Sequence, residues 1–172
     1  MKLHASFAAA AVLALIAAAP ARAQKSAHAD IADPKGQIIG TANFEQTKKG
    51  VRIALTASQL PPGTHGIHIH AVGKCDPPDF KTAGAHFNPD NKKHGMKNPD
   101  GPHAGDLMNV EVGADGTVHA NLLAPGVTLG DGPNSLFHPD GTALVIHAQA
   151  DDMMTDPSGN SGARIACGVI QK

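Results

Sequence analysis

Alternating apolar and polar residues run through most of the chain beyond residue 35, in short stretches separated by glycine, proline and asparagine. Alternation with a period of two is typical of strands that bury one face, and helical periodicity is scarce. The pattern predicts about eight short strands, among them the segments 37–46, 51–57, 64–71, 107–112, 117–123, 142–148 and 163–170. Short polar turns predict that the first two segments form a hairpin, and that the fourth and fifth form another.

Long polar segments that contain glycine and proline separate several of these strands, at 72–105, 124–140 and 149–162. Loops of this length are uncommon inside a compact domain, and they are usually functional. Short strands joined by long crossings predict an all-β fold, either an antiparallel β-sandwich or a flattened barrel.

The first 23 residues are typical of a secretory signal peptide. Lys2 provides the positive start, an apolar run covers 8–19, and Ala21-Arg22-Ala23 fits a cleavage site. An uncleaved anchor or a buried helix is the alternative, although the apolar run is short and alanine-rich for a membrane span. Residues 24–34 show little periodicity and predict a flexible lead, which leaves 35–172 as one domain with no membrane segment after cleavage.

Composition narrows the classes of partner. Because cleavage would remove Lys2 and Arg22, the remaining 149 residues carry 12 basic and 15 acidic side chains, a net charge of −3 with neutral histidines. That length is enough for one domain with its own core. The mildly acidic balance, the absence of a long basic run and the absence of Trp and Tyr argue against nucleic-acid binding.

Two histidines mark one predicted strand as a candidate metal site. His68 and His70 are two residues apart, so on a strand they point to the same face, about 7 Å from each other. Ile67 and Ile69 then point to the opposite face, into a core. One metal ion could be bound by both imidazoles, and a half-polar strand with solvated histidines is the alternative.

Four further histidines in or near turns strengthen the metal hypothesis: His86, His94, His103 and His147. Asp106 follows His103 by three residues. Six imidazoles and one carboxylate are too many ligands for a single first-row metal, and they suit two ions with a shared ligand. Imidazole favours zinc and copper, whereas calcium and magnesium prefer oxygen ligands.

The two cysteines, Cys75 and Cys167, are an even number in a chain that the signal peptide would export. An oxidising compartment favours one disulfide between them. Two thiolate metal ligands are the alternative, although histidines already exceed the need.

Six short motifs together point to a known family: Gly66-Ile67-His68-Ile69-His70, Gly84-Ala85-His86-Phe87-Asn88-Pro89, Lys93-His94-Gly95, His103-Ala104-Gly105-Asp106-Leu107, Leu144-Val145-Ile146-His147 and Gly162-Ala163-Arg164-Ile165-Ala166-Cys167-Gly168-Val169-Ile170. In order and spacing they resemble the copper/zinc superoxide dismutases, of an exported bacterial type, over about 36–170. The resemblance implies an eight-stranded Greek-key sandwich or flattened barrel with long metal-binding and electrostatic loops. It also implies the Cys75–Cys167 pairing.

The resemblance, and not the spacing, divides the ligands between one copper and one zinc per chain. It implies copper ligands at His68, His70, His86 and His147. It implies zinc ligands at His86, His94, His103 and Asp106. His86 is thus expected to bridge the two ions.

Two further residues have roles that only the resemblance implies. Asp151 is expected to accept hydrogen bonds from His68 and His94, where the alternative is a solvated loop acid. Arg164 is expected beside the copper, where its guanidinium attracts a small anion, and the alternative is an ordinary surface arginine. Arg164 and His86 are therefore the expected catalytic residues, with His86 also supplying protons.

The activity that the resemblance implies is dismutation of superoxide to dioxygen and hydrogen peroxide outside the cytoplasm, with superoxide as substrate. A non-catalytic module of the same fold that binds or delivers copper or zinc is the alternative. The periplasm is the expected compartment, with secretion as the alternative. The resemblance does not decide whether the protein is a monomer or a homodimer. The segment between His147 and Arg164 is shorter than in common eukaryotic members, so the usual source of electrostatic guidance is largely missing.

Overall fold

The computed structural model describes residues 25–172, in which nine strands and one short 3₁₀ helix form the regular structure. The strands are β1 Ser26–Ala32, β2 Ile38–Thr47, β3 Gly50–Ala57, β4 Gly63–His65, β5 Ile67–His70, β6 Val110–Val112, β7 Val118–Ala124, β8 Ala143–His147 and β9 Arg164–Val169, and the 3₁₀ helix is Lys81–Ala83. The signal peptide predicted for residues 1–23 lies outside the described residues.

All strand pairs are antiparallel, which confirms the predicted all-β class. Seven strands form one sheet in the order β5-β8-β9-β1-β2-β3-β7, and β4 pairs with β6 in a small second sheet. β6 lies against β7 at one edge of the large sheet, and β4 continues through Gly66 into β5 at the other edge. The sheet therefore curls into a flattened barrel.

Period-two alternation places the core inside this barrel. Along β3, Val51, Ile53 and Leu55 are buried, whereas the residues between them face solvent. β8 differs, because all five of its residues are buried. Its outer face is covered by the long loop between β5 and β6, through Phe80 and Ala83.

The flexible lead predicted for residues 24–34 is wrong, because most of it is β1. Ala27, Ala29 and Ile31 alternate toward the core, and β1 pairs with β2 along its length and with β9 at Ala32. Two of the three inward side chains are alanine, whose small apolar surface gives a weak hydrophobic period. Pairing within the sheet, and not local pattern strength, makes this segment a strand.

The hairpin of β2 and β3 is confirmed, but two other strand predictions are wrong. The single strand predicted at 64–71 is broken at Gly66, where a Cβ would lie 2.9 Å from Ser161 Cβ and 3.3 Å from Asp151 Cβ. The close approach of the loop before β9 thus requires glycine there. The second predicted hairpin is a crossing between sheets, because β6 pairs with β4 and β7 pairs with β3.

The predicted disulfide is confirmed, since Cys75 and Cys167 are bonded across a sequence separation of 92 residues. Cys75 lies in the loop between β5 and β6, and Cys167 is buried in β9. The bond fastens the start of the longest loop to the large sheet. Within residues 25–172, no helix has the length and apolar character needed to cross a membrane.

We expect the double substitution Cys75→Ala and Cys167→Ala to lower the free energy of unfolding of the metal-free protein. A cross-link that closes about 92 residues removes entropy from the unfolded chain worth at most about 4–5 kcal/mol, and strain commonly reduces the measured value. Urea unfolding of the variant, of the wild type and of the reduced wild type measures the difference. A variant as stable as the oxidised wild type would contradict this role.

Candidate metal centre

The backbone of Ile69 in β5 holds two distant parts of the long loop against the strand. The N–H of Ile69 donates to Gly105 O, the N–H of Phe87 donates to Ile69 O, and the N–H of Gly105 donates to Phe87 O, each at 2.8 Å. A Cβ at Gly105 would lie 2.2 Å from Ile69 O, so only glycine permits this approach. The bonds place His86 opposite His70, and Asp106 opposite His68.

Four ligand atoms converge on one side of this contact. Asp106 Oδ1 lies 2.9 Å from His86 Nδ1, 3.1 Å from His94 Nδ1 and 3.3 Å from His103 Nδ1. His103 Nδ1 is 3.4 Å from His86 Nδ1. A tetrahedral zinc ion with bonds of about 2.0–2.1 Å separates its ligand atoms by about 3.3 Å. We name His86, His94, His103 and Asp106 the carboxylate pocket.

Four imidazoles converge on the other side, and we name His68, His70, His86 and His147 the four-histidine pocket. Their candidate ligand atoms lie within 4.8 Å of one another, and His70 Nε2 is 3.4 Å from His147 Nε2. All four side chains are buried. β5 and β8 are antiparallel neighbours, and the His147 N–H donates to Gly66 O, so the end of β8 returns to the start of β5.

His86 belongs to both pockets. Its Nδ1 faces Asp106, whereas its Nε2 is buried with no hydrogen-bond partner, as is Nδ1 of His68. A buried nitrogen without a partner is costly, so such atoms require an explanation. Two unpartnered imidazole nitrogens aimed among other imidazoles fit bound metal ions, and this donor set suits copper and zinc.

His68 lies close enough to join either group of ligands, because it stacks on His86 with ring centroids 3.9 Å apart. Its Nε2 donates to Asp151 Oδ2 at 2.7 Å, which leaves only Nδ1 for an ion. His103 Nδ1 lies 3.3 Å from Asp106 Oδ1 and 3.4 Å from His86 Nδ1, which fits a ligand of the carboxylate pocket. We therefore place His68 in the four-histidine pocket.

Outer hydrogen bonds fix which ring nitrogen faces each pocket. His70 Nδ1 lies 2.9 Å from Gly84 O, and His147 Nδ1 lies 3.3 Å from Gly162 O, so Nε2 of each ring faces inward. The His94 Nε2–H donates to Asp151 Oδ1 at 3.0 Å, so Asp151 bonds one histidine of each pocket. Such partners hold ring orientation and raise ligand basicity.

Sequence reasoning missed Asn109, which fixes Asp151 in turn. The Asn109 side-chain amide donates to Asp151 O, and the Asp151 N–H donates to Asn109 Oδ1, both at 2.9 Å. Only its position three residues after Asp106 could have pointed to it. His65 is also buried near the site, with Nδ1 2.7 Å from His147 O and Nε2 2.8 Å from Pro61 O.

Arg164 opens β9 beside the four-histidine pocket. It donates from Nη1 to Phe80 O and from Nη2 to Gly84 O, each at 2.6 Å. Gly84 O also faces His70 Nδ1, so one carbonyl oxygen connects the guanidinium to a histidine of the pocket. Burial lowers the pKa of Arg164, yet guanidinium stays charged at any working pH.

Comparison with known proteins decides the family. The family model described as copper/zinc superoxide dismutase (SODC) matches residues 38–170. The chain belongs to the copper/zinc superoxide dismutase family. Superoxide dismutase [Cu-Zn] 1 of Aquifex aeolicus is 56% identical over 146 residues, which cover 84% of this chain and 86% of the relative. Superoxide dismutase [Cu-Zn] of Caulobacter vibrioides is 41% identical over 149 residues, covering 85% and 86%.

Solved structures agree with the family assignment. A double mutant of a superoxide dismutase-like protein from Bacillus subtilis, with histidine introduced at two positions, has a TM-score of 0.82 and 47% identity. The match covers 84% of this chain and 97% of that one. Cu/Zn superoxide dismutase from Brucella abortus has a TM-score of 0.70 and 29% identity, covering 86% and 100%.

Burial and charge divide the imidazoles of this copper/zinc superoxide dismutase domain. Burial lowers the pKa of His86 to about 4 and that of His147 to about 3, so both rings are neutral at neutral pH. His94 is different. Burial lowers its pKa, but hydrogen bonds to Asp106 and Asp151 outweigh burial and raise the pKa to about 9. Metal-free His94 is thus an imidazolium held between two carboxylates.

The shifted pKa values of these histidines change the stability of the metal-free protein over different ranges of pH. The raised pKa of His94 contributes stability that is complete below about pH 6.5 and is lost as pH rises through about 9. The lowered pKa values of His86 and His147 act in the opposite sense, because the unfolded chain binds their protons first. Stability falls as pH drops from about 6.5 toward 4 and 3.

We expect zinc binding to the metal-free protein at pH 7.5 to release close to one proton per ion. Zinc must displace the proton on His94 Nδ1, whereas His86 is already neutral. Calorimetric titration in buffers with different ionisation enthalpies counts the protons. Asp151→Asn removes one of the two charges that raise the His94 pKa, so it should release fewer. Zinc binding by the wild type without proton release would contradict the assignment.

Proposed function

We propose that this chain catalyses the dismutation of superoxide, 2 O₂•⁻ + 2 H⁺ → O₂ + H₂O₂. The observation that carries the proposal is His86, which stands in both pockets with a buried, unpartnered Nε2. The four-histidine pocket would hold one copper, and the carboxylate pocket would hold one zinc. Bound copper supplies the one-electron redox chemistry, and zinc, which has no accessible redox change, supplies fixed positive charge.

The protein contributes oriented ligands and a site for a proton. Hydrogen bonds on the outer nitrogens of His68, His70 and His147 leave one nitrogen of each ring free to bind an ion. His86 Nδ1 is committed to the side of Asp106, so Nε2 is the atom at which His86 can hold and release a proton. A proton held there lies where the reaction consumes protons.

Arg164 would attract superoxide to the four-histidine pocket. Phe80 O and Gly84 O accept one N–H from each terminal nitrogen, so each nitrogen keeps a second N–H for an anion. At about 5 Å and an effective dielectric constant near 20, a unit anion gains about 3 kcal/mol. Its carbonyl partners hold the guanidinium without neutralising its charge.

A non-catalytic module that stores or delivers copper or zinc is the alternative. Two complete ligand sets together with an arginine beside the four-histidine pocket support catalysis, because storage needs no anion-attracting group. The described residues contain no feature that favours the alternative. One relative, from Bacillus subtilis, is named superoxide dismutase-like protein YojM, and it is 46% identical over 146 residues.

We also propose that the protein is exported, with the periplasm as its compartment, and protects against superoxide there. The disulfide supports an oxidising compartment, and residues 1–23 have the pattern of a signal peptide. Secretion beyond the cell would fit the same two observations.

The direct test of catalysis uses the mature protein loaded with one copper and one zinc per chain. We expect it to inhibit the reduction of cytochrome c by superoxide from xanthine oxidase, and we expect the metal-free protein to have no such effect. Uric acid formation controls for inhibition of xanthine oxidase itself. A fully loaded protein that leaves cytochrome c reduction unchanged would favour the storage alternative.

Substitutions of Arg164 test electrostatic attraction. Arg164→Lys keeps the charge but loses the planar fork, so turnover should fall modestly, whereas Arg164→Glu reverses the charge and should lower it much further. Added salt should slow the wild type by screening, and this effect should shrink in Arg164→Ala. The measurement is the rate of superoxide decay at several ionic strengths, with metal content determined for each variant.

Arg52→Glu is the matched control, because it changes the net charge equally on the exposed outer face of β3. It should retain most of the wild-type rate. Arg164→Glu with full metal content and wild-type turnover would show that Arg164 does not guide superoxide.

A further inference from the structure

Asp156 reaches the carboxylate pocket from outside, five residues after Asp151 in the loop between β8 and β9. Its Oδ1 accepts the backbone N–H of His94 at 2.8 Å. The same oxygen lies 3.9 Å from His103 Nε2, and Oδ2 lies 3.3 Å from Lys93 Nζ. Asp156 therefore lies beside two of the three histidines of the pocket. It is neither one of the expected metal ligands nor the expected positioning carboxylate, Asp151.

The contact with His94 fixes the backbone of a buried ligand. The His94 side chain is fully buried, and a backbone N–H in such a place requires an acceptor. Asp156 Oδ1 is that acceptor. The position of His94 Nδ1 thus depends on a charge in another loop.

The contact with His103 is electrostatic. Nδ1 of His103 faces Asp106 and His86, so Nε2 is the outer nitrogen of the ring. At 3.9 Å, Asp156 Oδ1 is too far from His103 Nε2 for a hydrogen bond. Its negative charge next to the outer nitrogen still raises the basicity of the inner nitrogen, His103 Nδ1, as a metal ligand. The exposed pair with Lys93 adds little, because ion pairs in water are weak.

We propose that Asp156 is a second positioning carboxylate, which strengthens zinc binding through His94 and His103. Asp151 bonds one histidine of each pocket, whereas the contacts of Asp156 reach only the carboxylate pocket. Loss of Asp156 should therefore weaken zinc binding and leave copper binding unchanged. The inference rests on the proposed function only in naming zinc as the ion of that pocket.

The test compares zinc affinity among variants of the mature protein, by competition with a chromophoric chelator. Asp156→Asn keeps an acceptor for the His94 N–H and loses the charge, whereas Asp156→Ala loses both. The matched control is Asp152→Asn in the same loop, since Asp152 bonds the N–H groups of Met154 and Thr155 and the Asn160 side chain. Cobalt(II) in place of zinc reports the geometry of the ligands through its visible spectrum.

Loss of an outer partner typically costs about 10–100-fold in metal affinity. We expect Asp156→Ala to fall in that range, Asp156→Asn to lose less, and Asp152→Asn to bind zinc like the wild type. Copper affinity should be unchanged throughout, and the cobalt spectrum should shift only in the Asp156 variants. Should Asp156→Ala not fold, Asp156→Asn against Asp152→Asn decides alone.

Wild-type zinc affinity in Asp156→Asn, or an equal loss in Asp152→Asn, would overturn the proposal. Superoxide dismutation by the wild type is measured separately. If the wild type is inactive, the proposed function is wrong, but the comparison of zinc affinities still tests the role of Asp156. If the wild type is active and Asp156→Asn binds zinc as tightly as the wild type, only the inference about Asp156 is wrong.

Discussion

The metal centre depends on the backbone of one residue, Ile69. Its N–H and its carbonyl bond the long loop at Gly105 and at Phe87, and these two loop residues also bond each other. His68, His70, His86 and Asp106 are the immediate neighbours of these three residues in sequence. A short stretch of antiparallel pairing thus fixes the positions of four of the seven metal-facing side chains. The barrel holds Ile69 in place for this pairing, because β5 is paired with β8.

Outside this contact at Ile69, the metal-binding loops and the remaining ligands are positioned by a disulfide and by hydrogen bonds from residues that are themselves held in place. The disulfide fastens Cys75, near the start of the long loop, to β9, and Arg164 at the start of β9 bonds the loop on both sides of its 3₁₀ helix. From the opposite direction, Asp151 bonds His94 and His68, and Asn109 holds Asp151. Buried histidines and carboxylates can be stable here because each has a charged or hydrogen-bonding partner.

Sequence patterns predicted what depends on local periodicity. β2 and β3 alternate strongly and were found where expected, whereas β1 was missed because alanines supply most of its inward face. The break at Gly66 was missed because its cause is a loop nearly a hundred residues away. For the site, the spacing of His68 and His70 predicted that both bind one ion. Sequence spacing does not show which of the seven ligands belongs to which pocket, so that assignment came from the resemblance to a family. Asn109 and Asp156 were missed because each acts through the backbone of a residue distant in sequence, and the only local signal for Asn109 was its position three residues after Asp106.

The claim that His86 joins two metal pockets is tested most directly by anomalous diffraction from crystals of the metal-loaded protein, at the copper and zinc absorption edges. We expect one copper peak among His68, His70, His86 and His147. We expect one zinc peak among His86, His94, His103 and Asp106, with the His86 ring between the two peaks. Two peaks that share no ligand, or copper in the pocket that contains Asp106 and zinc in the other, would contradict this arrangement.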